Sequence, residues 1–301
     1  MATFQIFTYQ FREDVAGNQL DAFNEAYNQI DVKAMMERKQ DLFEAEWKDE
    51  KNWVFKVGNT EYKHKLLEHR DHIVVFRIAN NKKFQGEQDF HTVEIDHKPS
   101  CMVVIDNRAH RQQIAIQSNK AFSSPVQVGK ILERVFSERM KQHKLVVEIN
   151  ARYEVREFWE LVERDPNGVS YLKFTFTPKN LPWIVGDIKR MFNEIGENFK
   201  AEPSLELKSF DKAPLGVSRE DDMLRELLEV SAASGKVIMV RMVDSRKIIK
   251  CGENTHIVQP LDDQVMKRLD DDSRGTQMVV VDVAWEKVVE FVNEIKLLHE
   301  A

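Results

Sequence analysis

Five short strand-like segments follow one another between Trp53 and Gln117, and no long helical pattern interrupts them. Each is rich in β-branched or aromatic residues, and turn formers such as Gly58-Asn59 and Asn80-Asn81 separate them. Short consecutive strands joined by turns favour an antiparallel meander or a partly closed barrel. The predicted strands are Trp53–Val57, Ile73–Ala79, Thr92–Ile95, Met102–Ile105 and Gln113–Gln117.

Another strand and two helical patterns flank this region. Thr3–Phe11 alternates like a strand, whereas Asn18 to Trp47 has helical spacing. The Asn18–Trp47 pattern predicts either one kinked helix or two helices that separate at Asp31-Val32. Ser124 followed by Pro125 matches an N-cap and a first helical residue, so a helix is predicted to begin there and run to about His143. Its predicted inner face is Val128, Ile131, Leu132, Val135 and Phe136.

Strand and helix patterns alternate in the second half of the chain. The predicted strands are Leu145–Ile149, Tyr171–Phe176, Leu205–Phe210, Val237–Val243 and Met278–Val283, with a hairpin at Lys247–Val258 around Gly252. The predicted helices are Val155–Arg164, Pro182–Phe199, Arg219–Ala233, Val265–Leu269 and Lys287–His299. We therefore predict an α+β protein. A β-rich domain with flanking helices is expected over residues 1–145, and an alternating, α/β sandwich-like domain over residues 146–301.

Charge is distributed unevenly along the chain. The net charge is −6, yet residues 51–152 contain 18 basic and 11 acidic residues, a net charge of +7. A basic segment within an acidic protein indicates an anionic partner. The alternative is that basic and acidic segments neutralise each other in the folded protein.

Cations in the basic segment are interleaved with aromatic residues such as Trp53, Tyr62 and Phe76. This combination suits a nucleic acid, because cations follow the phosphates and rings stack on bases. The alternative is that the rings form the core and the cations line the outer surface. The candidate nucleic-acid-binding residues are Lys63, Lys65, Arg70, Arg108, His110 and Arg111.

Three acidic residues lie in or at the ends of apolar segments: Asp106, Glu148 and Asp282. Carboxylates at adjacent strand ends can hold two divalent cations, so these residues are the candidate catalytic set of a metal-dependent nuclease. The alternative is structural, because a charge within an apolar strand requires a partner. Asp282 is then expected to pair with Arg241.

No recognised catalytic motif occurs in the chain, and whether the protein is an enzyme is left open. The glycine-rich phosphate loops and the nucleophile elbow are absent. Six of the nine histidines lie in residues 64–110, but their spacing matches no ligand pattern. We therefore expect neither a metal site nor a cofactor.

Cellular location is predicted from three features. The chain contains no run of 18 apolar residues, and its first residues lack a secretory pattern. The two cysteines, Cys101 and Cys251, lie far apart and are expected to be thiols. These features predict a cytoplasmic protein without a membrane span.

The segments VVID, HRQQIAIQ and SSPVQVGKIL, within residues 100–140, resemble uncharacterised bacterial proteins encoded near phage-defence genes. The resemblance implies a role in antiviral defence, as a sensor or a subunit, and it assigns no catalytic residue. Together with the charge pattern, it favours a non-enzymatic protein that binds an anionic partner, foremost nucleic acid. A metal-dependent nuclease and a protein-interaction module, whether with another protein or as a homo-oligomer, are the alternatives.

Overall fold

The computed structural model describes residues 1–15, 30–48, 53–88, 91–109, 111–176, 202–210, 213–252, 255–270 and 278–295. Over these residues the protein has an α+β fold with antiparallel sheets, which confirms the predicted fold class. No helix in the described ranges combines the length and the apolar character that a membrane crossing requires. A cytoplasmic location stays a prediction.

The elements are numbered here in chain order. The strands are β1 (Ala2–Glu13), β2 (Phe55–Val57), β3 (Thr60–Tyr62), β4 (His64–Arg70), β5 (Ile73–Ala79), β6 (Lys82–Gln88), β7 (His91–His97), β8 (Ser100–Asp106), β9 (Gln113–Gln117), β10 (Leu145–Ala151), β11 (Val169–Thr175), β12 (Ser204–Lys208), β13 (Ile238–Met242), β14 (Ile249–Cys251) and β15 (Val258–Leu261). The helices are α1 (Val32–Glu37), α2 (Lys39–Lys48), α3 (Pro125–Met140), α4 (Arg156–Arg164), α5 (Asp222–Ala233), α6 (Asp263–Asp270) and α7 (Met278–Glu294), and a 3₁₀ turn (Lys141–His143) follows α3.

The chain divides into two compact units. Unit 1 contains Met1–Ile149 and Val258–Ile295, and unit 2 contains Asn150–Ile257. Residues 258–295 belong to unit 1 because β15 pairs with β1. The predicted domains, residues 1–145 and 146–301, stay a prediction, and the compact units differ from them in this returning segment.

Unit 1 is built on a sheet with the strand order β10-β1-β9-β8-β5-β4, and β15 also pairs with β1. The antiparallel pairs β4–β5, β5–β8 and β8–β9 form a meander, and the separate β6–β7 hairpin lies between β5 and β8 in the chain. The prediction of one meander of five strands is only partly right. Strand β4 is not among the predicted strands, and the predicted strands Trp53–Val57 and Thr92–Ile95 fall in separate two-stranded sheets. The order places β4 at one edge of the sheet.

Strand β1 is covered on both faces. Phe7 lies against Gly129 of α3, whereas the ring of Phe4 meets Phe291 of α7 edge-on at 5.4 Å. Phe4 and Phe7 point to opposite faces because side chains alternate along a strand. Helices therefore cover both faces of β1, and its polar side chains Gln5 and Gln10 are buried as well.

The predicted N-cap of α3 forms, and the predicted break at Asp31-Val32 also proves to be a helix start with a cap. The Ser124 hydroxyl accepts a hydrogen bond from Gln127 N, and Pro125 is the first residue of α3. The predicted inner face of α3 is buried. Asp31 caps α1 by accepting from Lys33 N and Ala34 N, so the second half of the Asn18–Trp47 pattern forms two helices. Residues 16–29 lie outside the described residues.

Unit 2 contains a four-stranded antiparallel sheet with the order β12-β11-β13-β14. Leu172, Phe174 and Val240 line one face and pack with Phe158 of α4 and Leu228 of α5. Gly168 has φ +78° in the turn between α4 and β11, where a side chain would be strained. The turn Asp165-Pro166-Asn167-Gly168 follows α4, which ends at Arg164 as predicted.

Two predicted elements are wrong. Met278–Val283 begins helix α7 rather than forming a strand. The Lys247–Val258 hairpin does not form, because β14 pairs with β13 whereas β15 pairs with β1. The predicted helix Pro182–Phe199 lies outside the described residues. Cys101 and Cys251 are free and buried, and burial raises the pKa of each thiol to about 12.

Candidate functional site

Arg108 and Asp106 form a bidentate ion pair in the turn after β8. The Asp106 side chain is 1% exposed, and its two oxygens accept from Arg108 Nε at 2.8 Å and NH2 at 2.7 Å. This hydrogen bonding raises the pKa of the Arg108 guanidinium. NH2 also donates to Asn293 Oδ1 of α7 at 2.8 Å. Arg108 therefore joins the turn to the last helix.

Arg70 and Arg111, two further candidate nucleic-acid-binding residues, also contact α7. Arg70 NH1 donates to Asp282 Oδ1 at 2.8 Å, and its guanidinium carbon lies 5.7 Å from the centre of the Trp285 ring. Arg111 NH1 donates to the backbone oxygen of Val292 at 3.0 Å. The three predicted arginines thus fix α7 to the sheet, and His110 lies outside the described residues.

Lys63 and Lys65 remain on the surface. Lys63 precedes β4 and Lys65 lies within it, and both side chains are exposed. Lysines at a sheet edge oppose pairing with a strand of another molecule, which gives them a structural role. Lys65 lies opposite Arg77, whose guanidinium is bound by Asp270 of α6. The candidate cations therefore divide into arginines bound within unit 1 and lysines that face solvent.

The three candidate catalytic carboxylates each contact a different arginine. Asp106 pairs with Arg108, Asp282 pairs with Arg70, and Glu148 Oε2 lies 3.4 Å from Arg12 Nε. Among the described residues, no group of three or more His, Cys, Asp or Glu side chains is arranged to hold a metal ion. The predicted Asp282–Arg241 pair is wrong, because Asp282 is on α7 and pairs with Arg70.

Two of the clustered histidines share one carboxylate. Glu44 Oε1 lies 2.5 Å from His69 Nε2, and Glu44 Oε2 lies 3.5 Å from His72 Nδ1. Asn107 Nδ2 donates to Glu44 Oε2 at 3.2 Å, and its Oδ1 accepts from the Tyr9 hydroxyl at 2.6 Å. This network connects α2 to the turns after β4 and β8. It gives these histidines a structural role within unit 1.

A sheet surface that carries several cations lies in unit 2. Register places Lys208, Tyr171 and Arg241 in one row across β12, β11 and β13. A second row contains Glu206, Lys173, Met239 and Lys250. Paired residues share a face, and the alternate residues belong to the core with α4 and α5. We call the surface formed by Tyr171, Lys173, Glu206, Lys208, Arg241 and Lys250 the cationic face.

Two side chains of the cationic face are held in place by neighbours. The guanidinium carbon of Arg241 lies 5.3 Å from the centre of the Tyr171 ring. Lys208 Nζ lies 2.8 Å from Glu206 Oε1, a hydrogen bond that lowers the pKa of Glu206. Within the described part of the chain, Arg241 has no ion-pair partner. Its Nε lies 3.5 Å from Ser170 Oγ, an uncharged partner.

A cavity of about 370 Å³ adjoins Arg241. Its volume falls within the range of roughly 300–1,000 Å³ that small-molecule sites occupy. Arginine forks and hydroxyl groups are the donors that bind phosphate oxygens. We call it the Arg–Ser cavity, and its lining residues are Ser170, Ser209, Arg241, Val243, Ser245 and Arg246.

Phe210 follows Ser209 of this cavity and is 88% exposed. Its backbone oxygen accepts a hydrogen bond from Ala213 N at 2.9 Å, so the ring is presented from a turn. The ring is thus accessible to a ligand at the end of the strand that carries Lys208.

The sequence did not direct attention to this surface, because residues 153–301 carry a net charge of −7. The signal that could have found it is alternation. In YLKFTF and LELKSF, the polar or charged residues Tyr171, Lys173, Glu206 and Lys208 alternate with the apolar residues of the opposite face. Arg241 stands out as a charge within an apolar strand, but that pattern predicts an acidic partner.

Comparison with known proteins assigns no relationship. No family model matches the chain, and neither a curated protein nor a solved structure matches it.

Proposed function

We propose that the protein is a non-enzymatic nucleic-acid-binding protein whose cationic face contacts a single strand. The observation that carries the proposal is Arg241, which lies on the Tyr171 ring without an ion-pair partner in the described residues. Lys173, Lys208 and Lys250 extend its positive charge across three further strands. Such a surface attracts the phosphates of a nucleic-acid backbone.

A single strand is favoured over a duplex because of Phe210. An exposed ring can stack on an unpaired base, whereas the bases of a duplex are already stacked on one another. Cations next to an accessible ring therefore suit single-stranded DNA or RNA. A purely electrostatic partner, such as an acidic protein, gives the ring no comparable role.

The candidate surface predicted from the basic segment, residues 51–152, supports this function less strongly than the cationic face. Arg70, Arg108 and Arg111 are already bound to α7. Lys63 and Lys65 are exposed and form a second, smaller candidate surface. The link to phage defence, as a sensor or a subunit, remains a prediction that depends on the resemblance of residues 100–140.

The direct test is fluorescence anisotropy of a labelled single strand over a series of salt concentrations, without divalent metal. The logarithm of affinity falls with the logarithm of salt by about 0.7 for each phosphate neutralised on a single strand. Four cations on the face therefore predict a slope of about −3. A duplex of the same sequence is expected to bind more weakly.

Variants of matched charge assign the surface. Lys173→Glu with Lys208→Glu reverses two charges on the cationic face and is expected to abolish binding. Arg164→Glu with Arg225→Glu makes the same charge change on α4 and α5, which pack on the opposite face, and is expected to retain it. Equal losses of affinity in both double variants would show that binding depends on net charge alone. That result would overturn the assignment of binding to the cationic face.

Two other outcomes bear on the alternatives. Loss of binding only in Lys63→Glu with Lys65→Glu would transfer the function to β4. Absence of binding to any strand at low salt would overturn the proposal in favour of a protein-interaction module. Protein partners recovered equally with the wild type and the Lys173→Glu, Lys208→Glu variant would then place the contact elsewhere.

A further inference from the structure

The Arg–Ser cavity contains more hydrogen-bond donors than an internal backbone phosphate uses. Arg241 and Arg246 both line it, and Arg246 is an exposed residue with no ion-pair partner in the described part of the chain. Each guanidinium presents a planar set of N–H groups that matches two phosphate oxygens. Two such groups around one cavity can bind a doubly charged anion.

Three serine hydroxyls line the cavity. One donates its hydrogen within the sheet, and the other two can donate to a ligand. Ser170 Oγ donates within the sheet, lying 3.1 Å from the backbone oxygens of both Arg241 and Met242. Ser245 Oγ accepts from Lys247 N at 3.1 Å, which leaves its hydrogen to donate. The Ser209 hydroxyl bonds to no other described residue. Two hydroxyl donors therefore supplement the two guanidinium groups.

Asp244 is the acidic residue nearest in sequence to this cavity. It lies between Val243 and Ser245 and is exposed, but it does not line the cavity. Among the described residues that line the cavity, two are cations and none carries a carboxylate. Its electrostatic preference is thus for an anion of high charge.

A terminal phosphate fits this donor set better than an internal one. An internal phosphodiester has one negative charge and two non-bridging oxygens. A terminal phosphomonoester has three such oxygens and a charge of about −1.5 to −2 at neutral pH. We infer that the Arg–Ser cavity binds the terminal phosphomonoester of a single strand, with the adjoining base on Phe210. The inference rests on the proposed function and specifies which part of the strand is recognised.

The test uses three strands of one sequence, labelled at an internal position. One carries a 5′-phosphate, one a 3′-phosphate, and one has hydroxyls at both ends. We expect the full-length protein to bind one of the phosphorylated strands on the order of tenfold more tightly than the hydroxyl-ended strand, since charge-assisted hydrogen bonds are the strongest that proteins make. Arg246→Ala should bring that ratio close to one. Arg164→Ala, an exposed arginine on α4, should retain the ratio.

The possible results distinguish failure of the terminal-phosphate inference from failure of the proposed function. Equal affinity for the three strands would overturn the terminal-phosphate inference and leave nucleic-acid binding in place. So would a loss in Arg246→Ala that is the same for all three strands, since Arg246 would then contact the backbone generally. Failure of every strand to bind would overturn the proposed function itself.

Discussion

Arg241 and Tyr171 are cross-strand partners in β13 and β11, and the arginine lies over the tyrosine ring with 5.3 Å between guanidinium carbon and ring centre. A cation on an aromatic face is attracted by the negative face of the ring. The contact also restricts a long side chain that would otherwise sample many rotamers. The arginine is therefore already oriented before a ligand arrives, which lowers the entropic cost of binding.

Arg241→Ala is expected to weaken single-strand binding about tenfold and to reduce the salt slope by about 0.7, the contribution of one phosphate contact. Arg241→Lys should restore the slope but only part of the affinity, because an ammonium lacks the planar fork and its fit on the ring. Anisotropy titrations at four or more salt concentrations measure both quantities. A slope unchanged in Arg241→Ala would show that this residue contacts no phosphate.

Phe210→Ala is expected to weaken single-strand binding about tenfold, because stacking of a base on an aromatic ring contributes roughly 1–3 kcal/mol. The ring is 88% exposed, so the substitution should leave thermal stability nearly unchanged. Phe210→Trp should retain or increase the affinity. The measurement is the dissociation constant at one fixed salt concentration.

Met223→Ala provides the control for Phe210→Ala. Met223 is a large exposed apolar residue on α5, which packs against the opposite face of the sheet. Its replacement should change neither affinity nor stability. If Phe210→Ala and Met223→Ala behave alike in binding, the phenyl ring takes no part in recognition.

Arg108→Ala is expected to destabilise unit 1 by about 3 kcal/mol, since it removes one partner of a largely buried ion pair. Asp106 would keep its charge with a side chain that is 1% exposed, and the contact to Asn293 would be lost. Asp106→Asn combined with Arg108→Ala should recover part of the loss, because no buried charge remains. Urea unfolding followed by circular dichroism measures the change.

Arg12→Ala is the matched control for the Arg108 substitution. Arg12 is 63% exposed and lies 3.4 Å from Glu148, so its removal should cost less than about 1 kcal/mol. If Arg108→Ala instead leaves stability intact and weakens nucleic-acid binding, the arginine serves a ligand. The role assigned here, fixing α7 to the sheet, would then be wrong.

Much of the fold could be predicted because its elements have strong local signals. Ser124-Pro125 specifies the start of α3, alternation specifies β1 and β9, and apolar runs rich in β-branched residues specify β5 and β8. The β-branched valines of Met278–Val283 favour a strand. Ala284, Trp285, Val288, Phe291 and Val292 then continue a helical repeat that is buried in unit 1. Packing of the longer segment outweighed the local preference.

For the candidate site, the sequence predicts the kind of residue, cations near aromatic rings, but not which residues form the site. Arg70 and Arg111 looked like ligand-binding cations, since nothing local in the sequence reveals that Asp282 and Val292 lie beside them. These contacts join residues far apart in the chain, so they depend on the tertiary arrangement. The cationic face, in contrast, has a signal that is local in the sequence. Its alternation is visible locally, but its four cations are distributed over four strands and form a surface only when those strands pair.

Glu44→Gln is expected to reduce the dependence of stability on acidic pH. Burial raises the pKa of Glu44, but hydrogen bonds from His69 and Asn107 outweigh this, and the pKa lies below its ordinary value of 4.5. A carboxylate whose pKa is lower in the folded protein stabilises it above the unfolded pKa, and that stabilisation is lost as the pH falls through the folded pKa. The wild type should therefore lose stability more steeply than Glu44→Gln as the pH falls below about 4.5.

Urea midpoints measured from pH 7 to pH 3 test this expectation. Glu44→Gln should be less stable than the wild type at pH 7, because an amide replaces the carboxylate that accepts from both His69 and Asn107. The two curves should converge as the wild-type carboxylate becomes protonated. Glu138→Gln makes the same chemical change at a side chain that is 73% exposed, and its curve should follow the wild type. Parallel curves for wild type and Glu44→Gln down to pH 3 would show that the Glu44 network does not control acid stability.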